Sequence, residues 1–130
     1  MEKESYEIVR FENEGISLDV NVSPKEGTVW LNREQMAILF DRDTKTISKH
    51  INNVLSEECK GSTVSKIATV QKEGEREVKR IIEYFDFDVI LSVGYRVKSK
   101  NGIIFRRWAN SVLKQYLLKG YVINEDRLTL

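Results

Sequence analysis

Asn32-Arg33-Glu34-Gln35-Met36-Ala37-Ile38-Leu39-Phe40-Asp41-Arg42-Asp43-Thr44, continued from Lys45 to Leu55, is the stretch on which the fold turns. Met36, Leu39 and Phe40 recur at helical spacing, as do Ile47, Ile51, Val54 and Leu55. Asn32 and Asp43 stand where N-caps belong, each with a short side-chain oxygen able to accept from an unpaired backbone N–H. Ala37 is small enough to let a second helix approach closely. Two helices joined by the polar turn Asp41-Arg42-Asp43 read as a helix-turn-helix, in which the second helix offers its N-terminal residues to the major groove.

The outward face of that second helix carries Lys45, Ser48, Lys49 and Asn52, with Thr44 and Thr46 in the first turn. Ammonium groups suit phosphates, and hydroxyl and amide groups also reach base edges. The competing reading is a solvated charged helix in an ordinary α+β core. Two positions depart from the usual turn: Asp41 replaces the Gly that commonly adopts the left-handed conformation, and Arg42 stands where an apolar side chain is often buried.

Working outward, 130 residues with 41% apolar and 32% charged composition suit one soluble globular domain. Without a long apolar run, and with the acidic start Met1-Glu2-Lys3-Glu4, neither a membrane span nor a signal peptide is expected. A single cysteine, Cys59, excludes an internal disulfide and makes the cytoplasm the default location. The net charge of +1 conceals a strong gradient: −4 over residues 1–40, −1 over 41–88 and +6 over 89–130. A near-neutral protein can therefore present a basic face.

Before the helix pair, Tyr6–Phe11, the turn Asn13-Glu14-Gly15 and the strictly alternating Ile16–Val22 predict an antiparallel hairpin that buries Ile16, Leu18, Val20 and Val22. After the turn Ser23–Gly27, Thr28–Leu31 is a third strand with Trp30 in the core. Beyond a polar connection from Ser56 to Ser62, Thr63–Gln71 (with Val64, Ile67 and Val70) and Arg76–Phe85 predict a second hairpin, the wing of a winged helix. Val78, Ile81, Ile82 and Tyr84 are its candidates for burial. Lys72, Arg76 and Lys79 near its tip are candidate phosphate contacts, with a solvated turn as the alternative. Asp86 caps a helix from Phe87 to about Val93. A basic loop, Gly94 to Gly102, closes on the turn pair Asn101-Gly102. The last helix is expected from Ile103 to about Lys119, with Gly120 as its cap. Ile104, Phe105, Trp108, Val112, Leu113, Tyr116 and Leu117 form its apolar stripe.

Catalytic chemistry is hard to assemble from these residues. His50 and Cys59 are single representatives of their types, no Gly-rich phosphate loop occurs, and no enzyme, cofactor or metal site is expected. Cys59 beside Lys60 is an ordinary thiol unless the cation acidifies it. Arg96 to Lys119 holds seven cations and no acid, which favours an anionic partner. Alternatively Arg96, Arg106 and Arg107 pair internally with the acid-rich N-terminal hairpin.

Two blocks resemble the N-terminal region of the RhuM-type virulence-protein family: Thr28-Val29-Trp30-Leu31 with Gln35-Met36-Ala37 and Phe40, and Ser92-Val93-Gly94-Tyr95-Arg96-Val97 with Gly102, Phe105-Arg106 and Trp108-Ala109. Leu117, Lys119, Gly120 and Tyr121 fit as well, so the likeness runs from about Thr28 to Leu128. The resemblance implies a DNA-binding module of a bacterial or mobile-element protein. It also implies a longer protein of which this chain is an N-terminal part, and it carries no catalytic residues.

The sequence therefore predicts an α+β, winged helix-turn-helix-like domain spanning 1–130: hairpin and strand over 1–31, helix-turn-helix and wing over 32–85, a basic helical hairpin over 86–120 and a tail over 121–130. The expected partner is double-stranded DNA, for transcriptional regulation, with a homodimer as the expected assembly. Thr44, Lys45, Ser48, Lys49 and Asn52 would face the groove, and Lys98, Lys100, Arg107 and Lys114 would extend the phosphate contacts. The rival expectation is a protein-interaction or oligomerisation module that uses the long last helix to target a separate effector or antirepressor region.

Overall fold

Strict alternation over Ile16–Ser23 dictates a strand, and the fold is built outward from it: Leu18, Val20 and Val22 are buried on one face, and at its far end Asn21 and Ser23 are buried on the other. The computed structural model describes residues 6–58 and 64–129, with the backbone alone for 65–71 and 119–129. Strand β1 (Glu7–Asn13) pairs antiparallel with β2 (Ile16–Ser23) through the turn Glu14-Gly15, where φ is +44° and +85°. Positive φ at both positions is what a type I′ hairpin requires. Strand β3 (Thr28–Trp30) adds to the other edge of β2; Leu18, Val20, Val22 and Trp30 are buried, whereas Ile16, expected with them, is only half-buried beside the hairpin turn. Trp30 donates its indole N–H to the Ser23 hydroxyl at 2.8 Å, so the ring is buried without leaving a donor unpaired.

Helix α1 (Arg33–Phe40) follows at once, started by a reciprocal capping box in which Gln35 N–H donates to Asn32 Oδ1 and Asn32 N–H donates to Gln35 Oε1. It ends at Asp41, which adopts the left-handed conformation at φ 54°, ψ 53°. Asp thus performs the turn function usually left to Gly. Arg42 does not bury an apolar group there. Its guanidinium donates to the Phe40, Asp41 and Val97 carbonyls at 3.0, 3.0 and 2.8 Å, satisfying the end of α1 and tying the turn to a distant segment. Asp43 then caps α2 (Thr44–Glu57) by accepting from Thr46 N–H at 2.7 Å, and Ile47, Ile51 and Val54 are fully buried.

Strands β4 (Val64–Glu73) and β5 (Arg76–Phe85) form a ten-pair antiparallel ribbon turning at Gly74-Glu75. Its root is fixed to the first sheet because Leu31 and Phe85 exchange backbone hydrogen bonds of 3.1 and 2.9 Å. Arg33 reinforces the joint, pairing with Glu83 at 2.8 Å and lying 4.8 Å over the Phe85 ring. Of the residues expected to be buried on β5, Val78, Ile82 and Tyr84 share one face by strand alternation and are half-buried, whereas Ile81 stands on the other face and is exposed.

Asp86 caps α3 (Phe87–Arg96), and α4 (Lys100–Thr129) follows after Val97–Ser99. The basic loop expected over Gly94–Gly102 is therefore short. Gly94, Tyr95 and Arg96 complete α3, and Asn101-Gly102 open α4 rather than forming a turn. The reason is packing: a Cβ on Gly94 would sit 2.9 Å from the Phe40 ring and 3.6 Å from Gly102 Cα, so the two glycines permit a close helix contact instead of breaking helices. Asn101 donates its side-chain amide to the Leu39 carbonyl at 2.8 Å, which uses it as a tertiary cap for α1.

Helix α4 also does not stop at Gly120 but continues to Thr129, so residues 121–129 are helix rather than tail. A Gly inside a helix costs only about 1 kcal/mol relative to Ala, and no proline follows. On α4, Phe105, Ala109 and Val112 are buried and Trp108, Leu113 and Tyr116 half-buried against the core, while Ile104 and Leu117 lie outside the expected stripe. Phe105 and Trp108 both meet Phe11 edge-on, at 5.4 and 5.2 Å, which seats α4 on the first hairpin. The whole is an α+β domain beginning with a β-hairpin. Cys59, and the side chains of Ile67, Val70 and Lys119, fall outside the described residues.

Candidate nucleic-acid interface

With Ile47, Ile51 and Val54 pinned inward, the helical period leaves the opposite side of α2 to solvent. Thr44, Lys45, Ser48, Lys49 and Asn52 line one shallow concavity on that side, all of them exposed except the half-buried Ser48. Asn53, half-buried, completes it. Sequence reasoning passed over Asn53, although its place four residues after Lys49 puts it within reach of the same surface. From Thr44 to Asn53 the helix carries no acidic side chain. Asp43, just before it, spends its carboxylate on Thr46, and that hydrogen bonding holds its carboxyl below the usual range.

The acids of α2 lie at its far end, where carboxylates oppose the helix dipole. Arg96 reaches across from α3 and bonds both, Glu57 at 2.7 Å and Glu58 through Nε at 2.9 Å. These carboxylates hold the guanidinium still more firmly protonated than usual. Arg96 is thus paired internally, but with α2 rather than with the N-terminal hairpin. Among the described residues Arg106 and Arg107 make no ion pair.

The other predicted cations divide. Lys100, Arg107 and Lys114 repeat every seven residues along α4 and are all exposed, forming a stripe on one face. Lys98, with φ +54°, and Lys100 line a second concavity of about 650 Å³ between α3 and α4, together with Arg106 and the outlying Tyr95. Arg107 and Lys114 line neither concavity, and the two concavities share no residue. On the ribbon, Lys72, Arg76 and Lys79 are exposed, while Arg80 is paired with Glu73. His50 is half-buried with Nδ1 lacking a hydrogen-bond partner among the described residues. Among those residues no cluster of His, Cys, Asp and Glu has the makings of a metal site, and no helix is long and apolar enough to cross a membrane.

Fold and surface together define a small α+β domain that exposes a polar, cationic helix face and a basic last helix. The chain belongs to the virulence protein RhuM family, whose model matches residues 62–130. That segment takes in β4, β5, α3 and α4 with the Gly94–Val97 and Phe105–Ala109 block, while the Thr28–Phe40 block lies before it. No curated protein and no solved structure matches the chain.

Proposed function

We propose that this domain binds double-stranded DNA as a winged helix-turn-helix, α2 entering the major groove and the β4–β5 ribbon acting as the wing. One observation carries the reading: Thr44, Lys45, Ser48, Lys49 and Asn52 share an acid-free concavity on the outer side of a helix whose inner side is locked in the core. The order β3, α1, α2, β4, β5, with Leu31 bridged to Phe85 beside the helix pair, supports the wing. Lys45 would meet a phosphate, while Ser48, Lys49, Asn52 and Asn53 offer donors and acceptors to base edges. Arg107 and Lys114 would extend the backbone contacts along α4. On this reading the chain is a cytoplasmic regulatory binding module and not an enzyme.

A second reading, oligomerisation through α4, is favoured by Leu117 and Leu118, which are 73% and 58% exposed on that helix. It is compatible with DNA binding as a dimer. The experiment is fluorescence anisotropy with a random-sequence duplex at low and near-physiological salt. DNA binding predicts an affinity that falls with salt by roughly 0.9 log units per phosphate neutralised for each log unit of salt. Absence of binding at low salt overturns the DNA reading, and an association that persists or tightens with salt favours the helix interface.

A further inference from the structure

The concavity between α3 and α4 has a different chemistry from the face of α2. Gly94 and Gly102 form its floor, because two residues without side chains meet where the helices cross. Its walls are apolar: Leu91 and Tyr95 come from α3 and Ile103 from α4. Tyr95 is 86% exposed and Ile103 51% exposed, so the two present apolar surface side by side on one groove. Its rim is cationic, with Lys98, Lys100 and Arg106 all exposed to solvent. The single acid on the rim, Glu58, is already bonded to Arg96.

A separate observation concerns Lys98. It adopts φ +54°, a conformation that normally selects Gly or Asn, at the turn that closes one end of the groove. Gly would adopt that conformation at lower cost, so Lys98 places an ammonium at the groove's end against a backbone preference. Phosphate binding alone would account for the cations but leaves the exposed Tyr95 and Ile103 without a role. Protein interfaces, by contrast, favour an aromatic and aliphatic centre with Tyr and Arg as anchors.

We infer that the α3–α4 groove docks an acidic, amphipathic segment of a protein partner. One aliphatic or aromatic side chain of that segment rests against Tyr95 and Ile103, and its carboxylates meet Lys98, Lys100 and Arg106. Lys98 and Lys100 then serve this groove rather than a DNA phosphate. The groove shares no residue with the concavity on α2, and of the α4 cation stripe it takes Lys100 but neither Arg107 nor Lys114.

The test is selection of a random dodecapeptide phage library on the whole chain, followed by fluorescence titration of the labelled winners. Selection should enrich Asp and Glu around Leu, Phe or Trp. Tyr95→Ala, a change at an exposed position, should weaken the selected peptide by about tenfold or more while leaving binding to a random duplex as in the wild type. Lys98→Gly should weaken the peptide while leaving thermal stability equal or raised, which a purely structural lysine would not do. Selection without acidic enrichment, or a peptide held equally by Tyr95→Ala, overturns the inference. So does a Tyr95→Ala variant that loses duplex binding, since the groove would then belong to the DNA surface. A wild-type dimer made monomeric by Tyr95→Ala would likewise overturn it, by showing that a second copy covers the groove.

Discussion

Gly94 and Phe40 are in contact so close that a methyl group on the glycine would lie 2.9 Å from two carbons of the ring. Phe40 is 1% exposed and hemmed in by the core, so the ring has nowhere to retreat. Gly94→Ala should therefore destabilise the domain by about 1–3 kcal/mol, as overpacking does. Gly102, across the same helix crossing, is different: its added Cβ would meet its nearest neighbour at 3.7 Å, an ordinary contact. Gly102→Ala should cost nothing. Urea denaturation of the two variants side by side checks the contrast, and equal losses would show that the glycines do not set the helix approach.

The capping box predicts a second asymmetry. The Asn32 side chain accepts from Gln35 N–H at 2.8 Å, the Gln35 side chain accepts from Asn32 N–H at 3.0 Å, and α1 is only eight residues long. Asn32→Ala should cost about 1 kcal/mol, whereas Asn32→Asp should retain the cap. Thermal melts of both variants decide it.

How much of this was legible in the sequence depends on the range of the interaction. The caps Asn32, Asp43 and Asp86 and the alternation of β2 are local, and each predicted element begins where its cap stands. Asp41 was readable as a left-handed turn residue because short polar side chains tolerate that conformation. Gly94 and Asn101-Gly102 misled because local chemistry marks them as a loop, while their roles are tertiary: one admits Phe40, and Asn101 caps a helix 62 positions away. For the same reason the partner of Arg96 could not be read. Its two carboxylates lie 38 and 39 residues back, and charge tallies pointed to the more acidic N-terminal hairpin. The outer face of α2 was readable from period alone, since fixing the buried side fixes the other.

Tyr116 joins α4 to the first strand by donating its hydroxyl to the Glu7 carboxylate. That bond, and after it burial, pushes the phenol up to about 12. An unfolded tyrosine ionises near about 10, so the folded state favours the neutral phenol. The resulting stabilisation is complete below pH ~10 and is lost as pH rises from ~10 through ~12. Tyr116→Phe should melt earlier than the wild type near neutral pH, with the gap closing over that alkaline window. Tyrosinate absorbance should show one tyrosine titrating last in the wild type and absent from the variant.

Arg96 gives a test in which stability and binding separate. Its ion pairs are partly exposed, and such pairs contribute little to folding. Removing it, however, uncovers Glu57 and Glu58 at the end of the helix proposed to lie on DNA. Arg96→Ala should shift the melting temperature slightly and weaken duplex binding several-fold. Adding Glu57→Gln and Glu58→Gln to Arg96→Ala should restore much of the loss. A restoration that fails would mean that Arg96 itself meets a phosphate.

The sharpest division lies between α2 and α4. If Lys49 and Asn52 read base edges, Lys49→Ala or Asn52→Ala should erase about 1–3 kcal/mol of discrimination at one base pair while leaving affinity for random duplex less affected. Arg107 and Lys114 lie on the α4 stripe and line neither concavity, so the DNA reading gives them phosphate contacts rather than base contacts. Arg107→Ala and Lys114→Ala should weaken all duplexes alike, each lowering the salt slope by about one unit. Anisotropy titrations of a selected site and a scrambled site across a salt series measure both quantities at once. If the α2 variants also behave uniformly, that helix lies along the backbone and sequence is read elsewhere. If the α4 variants leave the slope unchanged, the stripe faces away from DNA and becomes free surface for the oligomeric contact that Leu117 and Leu118 invite.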